Sequence, residues 1–430
     1  MVPQHFSSRP ESTEGEPEHL SHEQRMRRAA LLSLCDPVSP VCVEEFKALS
    51  GWQWKRLLRW LHLSGLALTF FDRMLEMQWG ELLPAWAVAQ LQRNVTDNRE
   101  RTCGMLVESV EIQREFQGAG IRYAVLKGVS LWPSSFLKPE LRLQFDLDFL
   151  LAESDIAEAR GILERRGYRL YGAHGRSWEF KRNERPGLTL KDVYRNTGSW
   201  LVELHAESRA RARPPLLEQL HWRDLFGFRM PVLSPVDLFL GQGLHAYKHV
   251  CGEFARAGFL VEFRRHVVFR SDDIAFWSDL HARMGDDQHA QIGLGIATLL
   301  ISGAMGDFAP EEMKRWTVDS VPQVARMWCR RYGNRIVLGS YPGSKLALLL
   351  KQALGERSES TGRPMRKVLL PLCAPLPAIR AFPQETLSVR AGRYGMRIAQ
   401  FTGRLRFHIV EGLRFWWEWH MWRRVSRSAQ

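Results

Sequence analysis

The sequence predicts an α+β fold, a small β-rich core set within a largely helical protein. Three observations predict it. Apolar residues recur at three- and four-residue spacing through residues 25–115 and return to that rhythm after 209. Between them, over 116–208, short alternating β-prone segments crowd together. Gly118 and Gly120 mark the change of period.

Taken in chain order, residues 1–24 are polar and rich in Glu, Ser and Pro. They read as a disordered lead-in without the apolar segment of a secretory signal. Helices are expected over 52–64 and 85–116, where Leu106, Val110 and Ile112 carry the apolar stripe. Residues 121–126 (IRYAVL) form a strand, followed by Lys127-Gly128, a short helix over 130–136 and a loop containing Pro139. A second strand covers 145–151 (FDLDFLL). Ser154 is placed to cap a helix with Asp155 in its first turn, Ile156, Ala159 and Leu163 on its apolar face, and Gly167 at its end. Further strands are expected at 178–181, 188–193 and 200–205. Helices resume at 238–251 and 274–284 within a helical domain over 209–320, and no internal repeat is found.

The longest uncharged apolar run, 292–305, contains three glycines and falls short of the ~20 residues a bilayer-spanning helix needs. A buried helix is expected there. Six cysteines occur without a CxxC pair, which argues against a zinc ribbon and for reduced thiols in a cytoplasm. The formal net charge is +13, and residues 361–430 supply +10 of it, thirteen Lys or Arg against three Glu. Region 321–430 is therefore basic and Arg/Trp-rich. Over 390–427 arginines interleave with aromatic residues, ending in RFWWEWHMWRR. Trp416, Trp417, Trp419 and Trp422 with Arg414, Arg423 and Arg424 suit three uses: gripping nucleic acid, seating a helix peripherally on an anionic membrane, or docking on the protein's own helical domain.

The chemistry centres on the second strand. Alternation turns Asp146 and Asp148 to one face, ~7 Å apart, while Phe145, Leu147 and Phe149 anchor the other. Two such carboxylates suit Mg²⁺ (or Mn²⁺), which prefers a few carboxylates completed by substrate phosphates. Glu203, flanked by apolar residues in LVELH, supplies a third carboxylate for a shared metal site and for activating an attacking hydroxyl. Upstream, Lys127-Gly128 forms a strand-to-helix turn where backbone N–H groups approach phosphate closely. Lys127, Ser130 and Arg142 are further phosphate contacts.

The stretch AVLKGVSLWPSSFLKPELRLQFDLDFLLAESDIAEARGILERRGY, followed by LVELHAE, resembles bacterial uncharacterised nucleotidyltransferases of the DNA polymerase β-like superfamily. The resemblance implies a small mixed sheet backed by helices, Mg²⁺ dependence, and transfer of a nucleotidyl group from a nucleoside triphosphate to a hydroxyl acceptor. On this sequence it makes Gly128 the phosphate turn, Asp146 and Asp148 the metal ligands and Glu203 the third carboxylate. Lys127-Gly128 departs from the superfamily's usual Gly-Ser, with Ser130 two residues later. The acceptor is not implied. Two rivals keep the same residues: a catalytically inactive nucleotidyltransferase-fold binding or regulatory module, and a metal-dependent phosphohydrolase.

Weaker signals fall around this core. His245 and His249 share a helical face, suiting metal binding, packing or substrate contact. His205 either lines the site or caps its strand, and His174 is expected in a loop. Gly241-Gln-Gly243 and Gly293-Leu-Gly295 follow no strand and read as helix-packing glycines. No Walker A loop, GxSxG elbow or protein-kinase motif set is present.

Overall fold

Serine caps start two of the first five helices, and apolar stripes pack them. In a computed structural model that describes residues 20–182, 193–196, 198, 200–207, 215–225, 227–252, 256–340, 343–355, 369 and 387–427, helices α1 (His22–Leu32), α2 (Val41–Lys47), α3 (Gly51–Ser64), α4 (Ala67–Glu76) and α5 (Ala85–Gly118) come first. Ser21 and Ser50 form capping boxes with Gln24 and Gln53, satisfying orphan amides at the starts of α1 and α3. After the β-rich segment and its helix α6 (Ile156–Arg165) come α7 (Pro235–Val250), α8 (Ala257–Phe269), α9 (Ile274–Met284) and α10 (Gln288–Met305). They are followed by α11 (Glu311–Trp316), α12 (Gln323–Val337), α13 (Ala347–Ala353) and α14 (Leu387–Arg427).

Among the described residues the sheet is mixed and seven-stranded. Its strands are β1 (Tyr123–Leu126), β2 (Asp146–Leu151), β3 (Arg169–His174), β4 (Ser177–Lys181), β5 (Leu201–Ala206), β6 (His221–Leu225) and β7 (Phe228–Val232). Their spatial order is β3-β4-β5-β2-β1-β7-β6. β2 pairs parallel with β5 and antiparallel with β1, and β1 meets β7 in parallel where Val125 opposes Val232. The α+β class and the mixed sheet are as expected.

Several elements differ from expectation for local reasons. β3 and β6 escape a pattern search because they are edge strands with mostly exposed or half-buried residues on both faces. β7 contains Pro231, which ordinarily demotes a central strand. The sheet therefore continues past residue 208. The helix expected over 130–136 shortens to one 3₁₀ turn, Gly128–Leu131, since Pro133 brings no N–H to extend it. Ser154 does not cap α6: its hydroxyl donates to Asp155 Oδ1 at 2.9 Å, and α6 begins after a 3₁₀ turn with no side-chain cap. Of the strand expected at 188–193, residues 188–192 lie outside the described residues, as do 1–19 of the expected lead-in.

Among the described residues two large apolar cores form, with a small third cluster of Leu68, Leu141 and Tyr194. One fills the space between the sheet and the helices α5 and α6, with Phe116, Leu147, Phe149, Ile162, Val202 and Leu204 buried. Phe116 packs edge-on to Phe149 at 5.4 Å between ring centroids. Arg166 reinforces this layer, joining Glu108, Glu111 and Glu115 of α5 at 2.6–2.9 Å. The other core draws α1–α4 together with α7–α13, through residues such as Trp54, Phe70, Phe239, Trp277 and Trp328. Arg27 donates to the Leu338 carbonyl at 2.7 Å and Trp60 to that of Gly339 at 2.8 Å, joining the first helices to the region after α12.

The run 292–305 lies in α10, largely buried, and no described helix is long and apolar enough to cross a membrane. Helix packing explains three of the four glycines. A Cβ on Gly243 would stand 2.1 Å from Leu294, one on Gly295 2.5 Å from the Thr317 carbonyl, and one on Gly293 3.1 Å from Leu244; Gly241 meets nothing within 4 Å. Part of the aromatic tail docks on the body: Phe415 and Trp422 of α14 enter the helical core, whereas Trp416 and Trp417 are exposed.

His62 is held neutral by the fold. Burial pushes it down to about 4; its Nδ1 lies 2.8 Å from the Tyr194 hydroxyl, and its buried Nε2 has no hydrogen-bond partner among the described residues. The unfolded chain takes up this proton near pH 6.5, so the stabilisation is full above 6.5 and is lost as pH falls towards 4. Urea unfolding at pH 7 and pH 5 is expected to show a loss of about 1–2 kcal/mol from this residue. A His62→Gln variant, with no proton to gain, should lack that increment; an unchanged pH slope would refute the assignment.

Candidate active site

Register across the sheet assembles the polar face. β2 and β5 run parallel with Asp148 opposite Glu203, and β4 adds Glu179 beside Glu203. Alternation then puts Asp146, Asp148, Glu179, Glu203 and His205 on one face, while Leu147, Phe149, Val202 and Leu204 fill the core behind it. The apolar residues hold the strands, and the strands hold the acids.

Asp148 lies at the centre with 1% of its surface exposed. Lys127 Nζ donates to its Oδ1 at 2.7 Å, and His205 Nε2 lies 2.9 Å from the same oxygen. To donate there, Nε2 must carry a proton, and Nδ1 lies 2.7 Å from the Ser177 hydroxyl. Glu203 Oε2 is 3.5 Å from His205 Nε2. One ligand atom each from Asp148, Glu203 and His205 come within 4.8 Å of one another, a group that does not include Asp146.

Burial and neighbouring charge split the carboxylates. Burial tends to raise Asp148, but hydrogen bonds and charge from His205 and Lys127 outweigh it and bring it down to about 2. Asp146 is pushed up to about 6, first by burial and then by the Asp148 charge. Glu203 is raised by burial. A low and a high carboxylate side by side mark a site whose charge depends on what it binds.

A strained turn brings Lys127 into this cluster. β1 ends with Leu126 opposite Asp148, and the chain reverses through Lys127 at φ 48° and Gly128 at φ 47°. A positive φ on a non-glycine residue costs about 1–3 kcal/mol, which the ion pair to Asp148 offsets. Gly128 is required by space as well: a Cβ there would stand 2.2 Å from Gln144 Nε2, and that amide donates to the Asp146 carbonyl at 2.7 Å.

The structure thus brings Lys127, Asp148 and Glu203 together, with Gly128 and Asp146 adjoining. It engages Ser130 and Arg142 elsewhere. The buried Ser130 hydroxyl donates to the Lys127 carbonyl at 2.7 Å, so it braces the turn. Arg142 makes a bidentate pair with Glu262 of α8 at 2.9 and 3.2 Å. His245 and His249 pack edge-to-face at 4.4 Å between ring centroids, with Phe259 against both. Burial pushes His245 down to about 3, with Lys127 and Asp148 within electrostatic reach of it. His174 ends β3 at an exposed position.

Sequence reasoning missed Glu179, Gln144, Ser177 and Arg101. Glu179 was findable, because alternation within WEFK turns it to the Glu203 face, the face on which the already named His205 also lies. Arg101 of α5 was not: its guanidinium lies 4.9 Å from the Phe145 ring, with Asp146 among the charges acting on it, through a contact across 45 residues of chain.

The donor set fits a hard divalent cation. Among the described residues Asp148 Oδ2 is buried without a hydrogen-bond partner, Glu203 and His205 bring further ligand atoms within 4.8 Å, and the Asp146 carboxylate lies on the same face. Residues 50–299 match the family model described as "Uncharacterised nucleotidyltransferase". No curated protein matches the chain.

Gly128→Ala is expected to destabilise the protein by about 1–3 kcal/mol, through both the φ strain and the clash with Gln144. Adding Gln144→Ala should restore the steric share. Urea melts of both variants check this, and a neutral Gly128→Ala would disprove the account of the turn.

Proposed function

The chain belongs to this uncharacterised nucleotidyltransferase family, and from that premise we propose that it transfers a nucleotidyl group from a nucleoside triphosphate to a hydroxyl acceptor, as a member of the DNA polymerase β-like superfamily. The observation that carries the reading is the orphaned Asp148 Oδ2 beside Glu203, backed by the turn at Lys127-Gly128. Asp146, Asp148 and Glu203 would hold the divalent cation, Mg²⁺ or Mn²⁺. When bound, such a cation neutralises triphosphate charge and lowers the pKa of the acceptor hydroxyl.

The chain's own residues do the remaining work. Lys127 keeps Asp148 ionised before substrate arrives, and its ammonium is positioned to pass to a phosphate once the carboxylate has another cation partner. Backbone N–H groups at Gly128 offer a phosphate cradle. Ser130 and Arg142 act one step back, Ser130 by bracing the turn and Arg142 by tying the segment before β2 to Glu262. Glu203 accepts the acceptor's proton, and His205 holds Asp148 oriented while Ser177 fixes the imidazole. The reacting bond is between the α-phosphorus and its bridging oxygen; pyrophosphate leaves as the acceptor oxygen bonds to phosphorus.

One observation favours a non-catalytic module instead: the Lys127 ammonium already neutralises Asp148. A phosphohydrolase would use the same acids but release free nucleotide with no modified acceptor.

Thermal unfolding with each common NTP and Mg²⁺ is expected to rise by about 2–4 °C for at least one nucleotide at a hundredfold excess over Kd. The Asp146→Asn/Asp148→Asn protein should show no rise. No shift with any nucleotide in a folded sample would transfer the assignment to the non-catalytic module. Because Asp146 holds its proton up to about 6, Mg²⁺ affinity by titration calorimetry should weaken as pH falls through 6 and level off above 7. A flat profile from pH 5 to 8 would exclude Asp146 as a ligand.

A further inference from the structure

Helix α14 lies outside the span 50–299 and carries an unusual distribution of charge. Its 41 residues hold nine arginines and two glutamates, nine less two leaving +7. Both glutamates turn towards the body. Glu411 accepts from the Ser344 hydroxyl at 2.6 Å, and Glu418 accepts from the Tyr332 hydroxyl at 3.0 Å. With Phe415 and Trp422 buried, these positions define the docked face. Arg414 pairs with Glu411, while Arg390, Arg406, Arg423 and Arg424 are exposed, so the outward surface is cationic.

An apolar stripe adjoins that docked face. At about 3.6 residues per turn, Tyr394, Ile398, Phe401, Leu405 and Ile409 fall on one line, each exposed, from 43% at Leu405 to 64% at Ile398. Leu413 and Trp416 continue it, 68% and 61% exposed. On the helical wheel the exposed Arg406 and Arg424 flank the stripe on the side away from the docked face, while Arg397 and Arg404 fall in line with the buried Phe415 and Trp422. An exposed apolar stripe of this length is a docking surface, and its charged flanks select the partner.

We propose that α14 lies along an anionic lipid surface, with the stripe at the boundary of headgroups and acyl chains and the arginines on lipid phosphates. Charge and shape argue for this occupant together. Nucleic acid would satisfy the arginines and stack on Phe401 or Trp416, but would leave Ile398, Leu405, Ile409 and Leu413 in water. A second copy would set +7 beside +7. The helix is about 60 Å long, roughly twice the hydrocarbon thickness of a bilayer. No described helix is long and apolar enough to cross one, so α14 rests on the surface. Trp416 and Trp417 are exposed, and indoles of this kind favour the membrane interface. The surface would bring the nucleotidyl-transfer site to acceptors held at a membrane.

Flotation of the full chain with phosphatidylcholine vesicles, with and without phosphatidylglycerol, tests the proposal. Recovery with anionic vesicles should exceed that with phosphatidylcholine alone by at least about tenfold. The Ile398→Glu/Leu405→Glu variant should lose at least about tenfold while keeping its thermal midpoint, since both side chains are exposed. Asp148→Asn should float as wild type does, separating this outcome from the fate of the catalytic reading. Failure to float with anionic vesicles, or equal flotation of the stripe variant, would overturn the proposal. So would RNA binding by both proteins without vesicle binding, which would assign the arginines to nucleic acid. Lipid-independent dimers lost in the variant would assign the stripe to a second copy.

Discussion

A carboxylate almost wholly removed from water, Asp148, is the constraint on which the candidate site depends. Burying such a charge costs several kcal/mol unless it is paired and hydrogen-bonded. Lys127 and His205 supply the pairing, and each imposes a demand on the chain. Lys127 reaches Asp148 from a residue at positive φ, which requires Gly128 after it and Ser130 beneath it. His205 comes from β5, which requires β2 and β5 to be parallel and in register. The strained turn and the mixed topology follow from one buried oxygen.

Helices before and after the sheet in sequence share a single core and close on the segment that leads into β2. Arg142 is tied to Glu262 of α8, while Ser135 donates to Gln242 of α7 at 3.0 Å. Asn98 of α5 donates to the Glu140 and Arg142 carbonyls at 2.6 and 3.3 Å. Residues 135–142 are therefore held from three helices before the chain enters β2. The proposed transfer would benefit from such a frame, since it depends on placing phosphate and hydroxyl in line.

Charge is distributed unevenly, and the unevenness has structural consequences. The acids of the sheet converge on one face, where their mutual repulsion is relieved by Lys127 and His205 and is available to a cation. At the other end of the chain α14 turns its two acids inward against Ser344 and Tyr332. Its exposed arginines, Arg390, Arg406, Arg423 and Arg424, define the outer field.

The sequence by itself determined the helical period before residue 118, the β2 strand and the carboxylates of one face, because alternation and periodicity are local properties of the backbone. It also carried the third carboxylate on LVELH. What it could not determine was partnership. Arg142 reads as a phosphate ligand until Glu262, 120 residues later, claims two of its three guanidinium nitrogens and Gln144 the third. Ser130 reads as a ligand until its hydroxyl closes on the Lys127 carbonyl. β3, β6 and β7 lack a local signature, since edge strands with polar faces and a strand with Pro231 form only when a neighbour offers hydrogen bonds. The central place of Asp148 over Asp146 was likewise decided by the fold. Both side chains point the same way in the strand, but the parallel register sets Asp148 opposite Glu203, while Asp146 meets Leu201.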